Sequence, residues 1–498
     1  MVRLSTKRAY TVIAFALFLA ISYACYEVWN FYQIPLTETV TWNGSGFTPK
    51  EVLIQKGGTV RFVNDSTTPV WPASDSHPSH NRLKGFDPAM GVVPGASWSF
   101  TFENAGVWDF HNHLEPRYVG RILVVGALGE STESCLAATQ GGTRPQCWEA
   151  DLQTELKRRG LDAAFTLFEN MYSESTTFKE NCHDVMHVLG KAAYQRFKID
   201  GSVLTRESTR FCGYGFYHGF IETMLSEEGL HTLDSGHRYC TSLLFSEAFP
   251  TKVSALNASQ ACYHGIGHAL FDSIDASLWG DPEHMVKSVE PQCESLSVLP
   301  SRREACMSGV YNALANAMTA SNYNLAFTTT GPLRICHEQK DEYQLKCSLE
   351  IGVGYLNHYA TPFSRSFPFI RTIEKIPIRL EVLAAFINGE ARQTHRGSTP
   401  QSLARECTQL RDASERRACV RGLVSGVSMQ GKPGEEYVET FSVCPFFEEP
   451  PLRSYCISRA RDTLAFIFNT DKIQAFCATL APSDQSICSR KQGYVPDI

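Results

Sequence analysis

Nine histidines fall into two groups whose spacing could gather metal ions. Five lie in the related segments NCHDVMHVLG, FCGYGFYHGF and ACYHGIGHAL, between residues 181 and 270. His183 and His187 are four apart, as are His264 and His268, so on helices each pair shares one face. His218 sits in the middle segment. The other four come in WPASDSHPSHNR, which carries His77 and His80, and DFHNH, which carries His111 and His113. The last two are two apart, so on a strand they point the same way. Convergent neutral imidazoles suit Cu(II) or Zn(II).

Other chemistries find less support. HDVMH invites comparison with the H-E-x-x-H of zinc peptidases. Asp184 is a methylene shorter than glutamate, and HGIGH has Gly265 at that position. A covalent haem needs C-x-x-C-H, which the chain lacks. There is no Gly-rich phosphate loop, G-x-S-x-G elbow or kinase signature. A plain packing role for the five helical histidines stays open. In that reading they hydrogen-bond to backbone or to Glu222 and Asp272 and fix neighbouring segments.

Something must position these side chains. A chain of 498 residues is too long for one ordinary core and implies several domains. The hydrophobic (43%) and charged (20%) fractions are those of globular proteins. A net charge of −6, with no basic run beyond the N-terminus, argues against a nucleic-acid partner. From Ala9 to Tyr26 the chain carries no charge, with Arg3, Lys7 and Arg8 before that run. This is the pattern of a single membrane anchor over residues 1–35, positives inside. A cleaved signal peptide is the competing reading. Either way the rest is exported, to a periplasm or a cell surface.

The cysteines agree with export. Cys25 lies in the apolar run, which leaves an even number of the 17. Cys135/Cys147, Cys293/Cys306, Cys336/Cys347, Cys407/Cys419, Cys444/Cys456 and Cys477/Cys488 repeat separations of 11 to 13 residues. One spacing recurring six times in an oxidising compartment reads as disulfides. Each closed loop of that length should stabilise the fold by about 3 kcal/mol. The other four are expected to pair Cys182–Cys212 and Cys240–Cys262, metal thiolates being the alternative.

Residues 36–127 read as a β-sandwich. Val40 and Trp42, Val52 and Ile54, Val60 and Phe62, and Trp98, Phe100 and Phe102 alternate at period two, with turns at Gly57-Gly58, Pro94-Gly95 and Ala105-Gly106. FTPKEVLIQKGGTVRFVND and GVWDFHNHLEPRYVGRILVV resemble the opening and closing strands of a cupredoxin, the plastocyanin and amicyanin type of copper domain. The resemblance implies that fold and a metal site where the upstream loop meets the last strands. It does not carry over the type 1 ligands. Asn112 stands at the copper cysteine, Glu115 at the C-terminal histidine, Tyr118 at the axial methionine and Val70 near the upstream histidine. Without a thiolate a blue centre is not expected. His77, His80, His111 and His113 are the ligands expected in its place.

Residues 130–498 read as helices. DLQTELKRRGLDAAFTLFENMY repeats apolar residues at three- and four-residue steps, and similar stretches follow most second cysteines of the couples. The expected units are helical hairpins, each stapled near its turn by a disulfide and stacked like a solenoid. Gly331-Pro332 and the Thr361–Phe369 stretch, with Pro362 and Pro368, read as loops between units. Gly213, Gly215, Gly219, Gly265, Gly267, Gly309, Gly422 and Gly426 interrupt these helices at a cost of about 1 kcal/mol each, which close helix approach would offset.

The fold class is therefore a multidomain chain: an N-terminal transmembrane helix, an all-β cupredoxin-like sandwich and an all-α disulfide-stapled repeat domain. The leading expectation is a membrane-anchored extracytoplasmic protein that handles copper, or transfers electrons through a non-blue centre. One alternative is a metal-dependent enzyme built on His183, His187, His218, His264 and His268. Another is a scaffold whose helical repeats bind a protein partner.

Overall fold

The structure is a computed structural model that describes residues 34–74, 80, 83, 85–104, 106–125, 144–202, 206–246, 249, 252–328, 331–359, 363–392, 399–428, 435–465, 468 and 470–489. Residues 1–33 of the expected anchor, His77 and Cys135 lie outside the described residues. No helix among the described residues is long and apolar enough to cross a membrane. The described residues up to Ala150 and from Asp151 onward form two compact units.

The first unit is built of β-strands. β1 (Thr37–Trp42), β2 (Phe47–Thr48), β4 (Gly58–Asn64) and β6 (Ser97–Phe102) form one sheet in the order β2-β1-β4-β6. β3 (Glu51–Gln55), β5 (Pro72–Ser74), β7 (Gly106–Asn112) and β8 (Glu115–Val125) form the other, in the order β3-β8-β7-β5. The β1–β4 and β3–β8 pairs are parallel and the rest antiparallel. Alternation supplies the core: Val40, Trp42, Val52, Ile54, Val60 and Phe62 point inward and pack with Phe86, Phe102, Phe110 and Ile122.

The second unit is helical. Eight long helices carry it: α1 (Thr176–Asp200), α2 (Phe211–Glu228), α3 (Lys252–Asp272), α4 (Pro300–Ala320), α5 (Asp341–His358), α6 (Ile376–Arg392), α7 (Ala413–Val427) and α8 (Pro450–Leu464). Each packs against the next in that order, with further helices between. The boundaries follow local chemistry. Ser175 caps α1 by accepting from the Phe178 N–H, and Gly201 ends it at φ 70°. Asp412 accepts from Ser414 and Glu415 at the start of α7, and Pro300 and Pro450 open α4 and α8. The array returns on itself: Lys179 on α1 meets Glu436, 257 residues on, in a buried ion pair at 2.8 Å.

Among the described residues, seven disulfides staple this unit. Cys293–Cys306, Cys336–Cys347, Cys407–Cys419 and Cys444–Cys456 join the end of one helical segment to the early turns of the next. Cys240–Cys262 joins the end of the helix Leu233–Ser242 to the middle of α3. Two further bridges differ from the hairpin pattern. Cys182 lies in the early turns of α1, not at its end, so its bond to Cys212 at the start of α2 joins the N-terminal parts of two long helices rather than closing the turn between them. Cys488 is the last residue of its short helix. Bridges in this number fit an oxidising, extracytoplasmic compartment.

The eighth expected bridge, Cys135–Cys147, lies outside the described residues. Cys147 stands in the first turn of the helix Arg144–Arg159.

Two local expectations fail. Phe363–Arg371 is a helix with Pro368 inside it, although its prolines suggested a loop. Burial of Phe363, Ser366 and Ile370 outweighs the local preference. Gly213 does not sit in a helix: Cys212, Gly213 and Tyr214 form a left-handed turn at φ 55°, 64° and 63°. The other helical glycines do serve close approach. A Cβ on Gly422 would stand 2.9 Å from that of Ile387 on α6, and one on Gly426 2.6 Å from that of Ala391.

Candidate metal centres

In the β unit, β7 delivers His111 and the turn after it delivers His113. β5 pairs with this end of β7, His111 opposite Ala73. The β7–β8 register shifts between His111 and Asn112, so strand periodicity alone does not aim the two rings. The main chain does: the His113 N–H donates to the Trp71 carbonyl at 2.7 Å. His80 comes from the upstream loop. His80, His111 and His113 are 4%, 1% and 3% exposed. One ring nitrogen from each lies within 4.8 Å of the others. The shortest approach is His113 Nδ1 to His80 Nε2, 2.8 Å.

Asp87 stands behind this trio, and no spacing rule in the sequence marked it. Its Oδ2 lies 2.6 Å from His80 Nδ1, while Oδ1 accepts from the Trp71 indole and the Ala89 N–H, both at 2.7 Å. Burial alone would raise its carboxyl, but the hydrogen bond and charge of His80, with the Ala89 and Trp71 donors, hold it below the usual range. An ionised carboxylate only accepts, so Asp87 keeps the proton on His80 Nδ1 and turns the Nε2 lone pair toward His113 and His111. Three imidazoles, one oriented by a carboxylate, are what a Cu(II) or Zn(II) ion takes at about 2.0–2.1 Å.

The residues at the cupredoxin ligand positions do other work. Asn112 is buried, and its Oδ1 accepts from the Trp71 and Leu114 N–H groups at 2.9 and 3.2 Å, so it fastens the loop. Glu115 pairs with Arg117, and Tyr118 packs edge-on against Trp42. Val70 is buried and bridges to Val92.

In the helical unit the five histidines converge. His183 and His187 lie on α1, His218 on α2, and His264 and His268 on α3. Ring centroids are 5.1 Å apart for His183–His187 and His183–His218, 5.0 Å for His218–His264 and 4.9 Å for His264–His268. Glycines bring these backbones together. A Cβ on Gly215 would stand 2.5 Å from the His183 carbonyl oxygen, and one on Gly219 2.6 Å from the His187 Cα. Gly265 faces the His218 backbone, and Gly309 on α4 abuts the carbonyl of His264. The cysteines help as well: the left-handed turn beside Cys182–Cys212 aims the Cys212 carbonyl at His183 Nδ1, 2.7 Å away. Left-handed φ at non-glycine Cys212 and Tyr214 is strain of the kind that gathers at functional sites.

Glu222, one turn after His218, lies between the helices. Its Oε1 is 3.0 Å from His268 Nδ1 and its Oε2 3.5 Å from His187 Nδ1. These are hydrogen-bonding partners that the packing reading of the sequence named. Burial would raise the Glu222 carboxyl, but His187 and His268 hold it well below its usual range. Asp272, on the same helix as His268, goes the other way: burial, then the charge of Glu222, push it well up. Burial also pushes His218 and His264 well below the usual imidazole range, helped by their histidine neighbours, and lowers His183. One ring nitrogen each from His183, His187 and His218 lies within 4.8 Å of the others. Asp184, the acid of the peptidase-like HDVMH, is exposed.

No family model matches the chain, and no curated protein matches it. Among solved structures, a purple cupredoxin from Nitrosopumilus maritimus is similar at 22% identity, over 18% of this chain and 99% of its own, with a TM-score of 0.16. A copper-containing nitrite reductase from Thermus scotoductus is similar at 24% identity, over 19% of this chain, with a TM-score of 0.17. The chain spans 23% of that reductase.

Proposed function

We propose that the protein is an extracytoplasmic copper-binding protein, anchored by its N-terminal segment, whose β unit holds the ion on His80, His111 and His113. The observation that carries this reading is the buried trio itself, with Asp87 orienting His80. Neutral imidazoles gathered in a buried site are the donor set that binds such an ion, and binding it contributes folding free energy. Nitrogen ligands without a thiolate favour Cu(II) over other divalent ions in the Irving–Williams order and give a non-blue centre. Its role is to store or pass copper, or to pass electrons through it.

A second reading, a metal-dependent enzyme in the helical unit, is favoured by one specific feature. Five imidazoles converge on Glu222, whose carboxylate lies 3.0 Å from His268 Nδ1 and 3.5 Å from His187 Nδ1, with one ring nitrogen each from His183, His187 and His218 within 4.8 Å of the others. Element analysis of the full chain tests the first reading. Copper should be bound, should show no intense thiolate band, and should fall by one equivalent on joint replacement of His111 and His113 by alanine. Copper content unchanged by that double replacement removes the β-unit assignment.

A further inference from the structure

The nitrogens of the helical cluster fall into two groups rather than one. His183, His187 and His218 form the trio described above. His264 and His268 form a pair, hydrogen-bonded to each other with their Nε2 atoms 3.1 Å apart. Two ligands bound to one ion at about 2.1 Å, at angles between square and tetrahedral, stand about 3.0–3.4 Å apart.

The partners at Nδ1 leave an Nε2 atom in each group as a potential ligand. Glu222 faces both rings at Nδ1, its Oε2 3.5 Å from His187 and its Oε1 3.0 Å from His268, and a carboxylate oxygen there accepts from an Nδ1 proton. That leaves both Nε2 atoms as lone pairs. His183 donates from Nδ1 to the Cys212 carbonyl, which frees its Nε2 in the same way. His187 Nε2 and His218 Nδ1 are buried with no hydrogen-bond partner among the described residues. His218 is 7% exposed, so water does not readily replace the missing contact. Five imidazoles also exceed what a single tetrahedral ion uses.

We infer that the helical centre is dinuclear, one ion on His183, His187 and His218 and a second on His264 and His268, with Glu222 positioning His187 and His268 from behind. This rests on the metal reading of the helical unit. The stacked His218 and His264 rings, 5.0 Å between centroids, place the two groups side by side. The first ion has three protein ligands and the second two, so the second keeps open positions for water or a small oxygen-donor ligand. Glu222 acts through the imidazoles, as carboxylates behind metal-bound histidines do, and its loss should weaken both ions about 10–100-fold.

The test uses the full chain with His111→Ala and His113→Ala, which silences the β-unit centre. It is loaded with Cu(II), freed of excess, and read by element analysis and electron paramagnetic resonance. The inference predicts two coppers per chain and a magnetically coupled pair with a half-field transition. Adding His264→Gln and His268→Gln should leave one copper with an isolated spectrum. The single His264→Gln, which keeps His268 on Glu222, gives the same reading if the double variant does not fold. Glu222→Gln should weaken both equivalents together. One copper per chain that is insensitive to His264→Gln overturns the dinuclear inference and leaves the metal reading standing. Two uncoupled coppers overturn the pairing. No copper in this background removes the metal reading and the inference together.

Discussion

Replacing Gly219 by alanine adds one methyl group at the point where α2 crosses α1. The new Cβ would stand 2.6 Å from the His187 Cα and would run into the His187 carbonyl oxygen. Ordinary contact needs about 0.8 Å more, and backbone cannot swing aside as a side chain does, so the two helices must part. Overpacking of this kind costs about 1–3 kcal/mol. Alanine returns about 1 kcal/mol through helix propensity, so the net loss should be on the order of 1–2 kcal/mol. Gly389 on α6 is the control, because a Cβ there meets nothing within 4 Å. Gly389→Ala should therefore gain about 0.5–1 kcal/mol. Urea denaturation of both variants, each compared with the parent protein, measures the difference. Parting α1 from α2 also moves His218 and Glu222 away from His187, so copper uptake by the helical unit should fall in Gly219→Ala alone. If Gly219→Ala proves as stable as Gly389→Ala and binds copper normally, close helix approach does not organise the histidines.

Three further outcomes are expected. Asp87→Asn keeps the size of the side chain but removes the charge behind His80; it should weaken copper in the β unit about 10–100-fold without unfolding it, measured by competition with a chelator. Non-reducing mass mapping should recover the seven bridges, Cys182–Cys212 crossing between two long helices among them; free thiols at most positions would contradict both fold and compartment. The metal-free protein should lose stability in acid: His218 and His264 are depressed in the folded state, so below pH ~6.5 the unfolded chain takes protons that the folded one refuses. That stability is present in full above pH ~6.5 and falls by on the order of 1 kcal/mol per pH unit for each group below it. Denaturation midpoints at pH 7.5 and 5.5, with His218→Gln as the flattened comparison, check the sign.

The features legible in the sequence are those written in local spacing. Cysteines 11 to 13 apart announce bridges because the short loop between two helices brings their ends together. His183/His187 and His264/His268 announce shared helix faces. Period-two apolar residues announce β4, where Val60 and Phe62 point inward. What long-range packing decides was harder to read. Asp87 meets His80 because a loop folds back, and no fixed interval records that contact. The left-handed turn at Cys212–Tyr214 looked like the start of a helix because only Gly213 prefers that backbone. Pro368 suggested a loop, but the burial of its neighbours keeps the segment helical. The register shift after His111 breaks the period that seemed to aim His111 and His113 together; their convergence rests instead on the His113–Trp71 backbone bond.

The most direct test of the account is an anomalous diffraction map of copper-loaded crystals of the protein, collected on both sides of the copper edge. The account predicts a copper peak inside the His80–His111–His113 trio, with nitrogen ligands at about 2.0 Å and Asp87 still bonded to His80 Nδ1. A fully loaded protein with no peak there, its three imidazoles in contact only with protein groups, would contradict it.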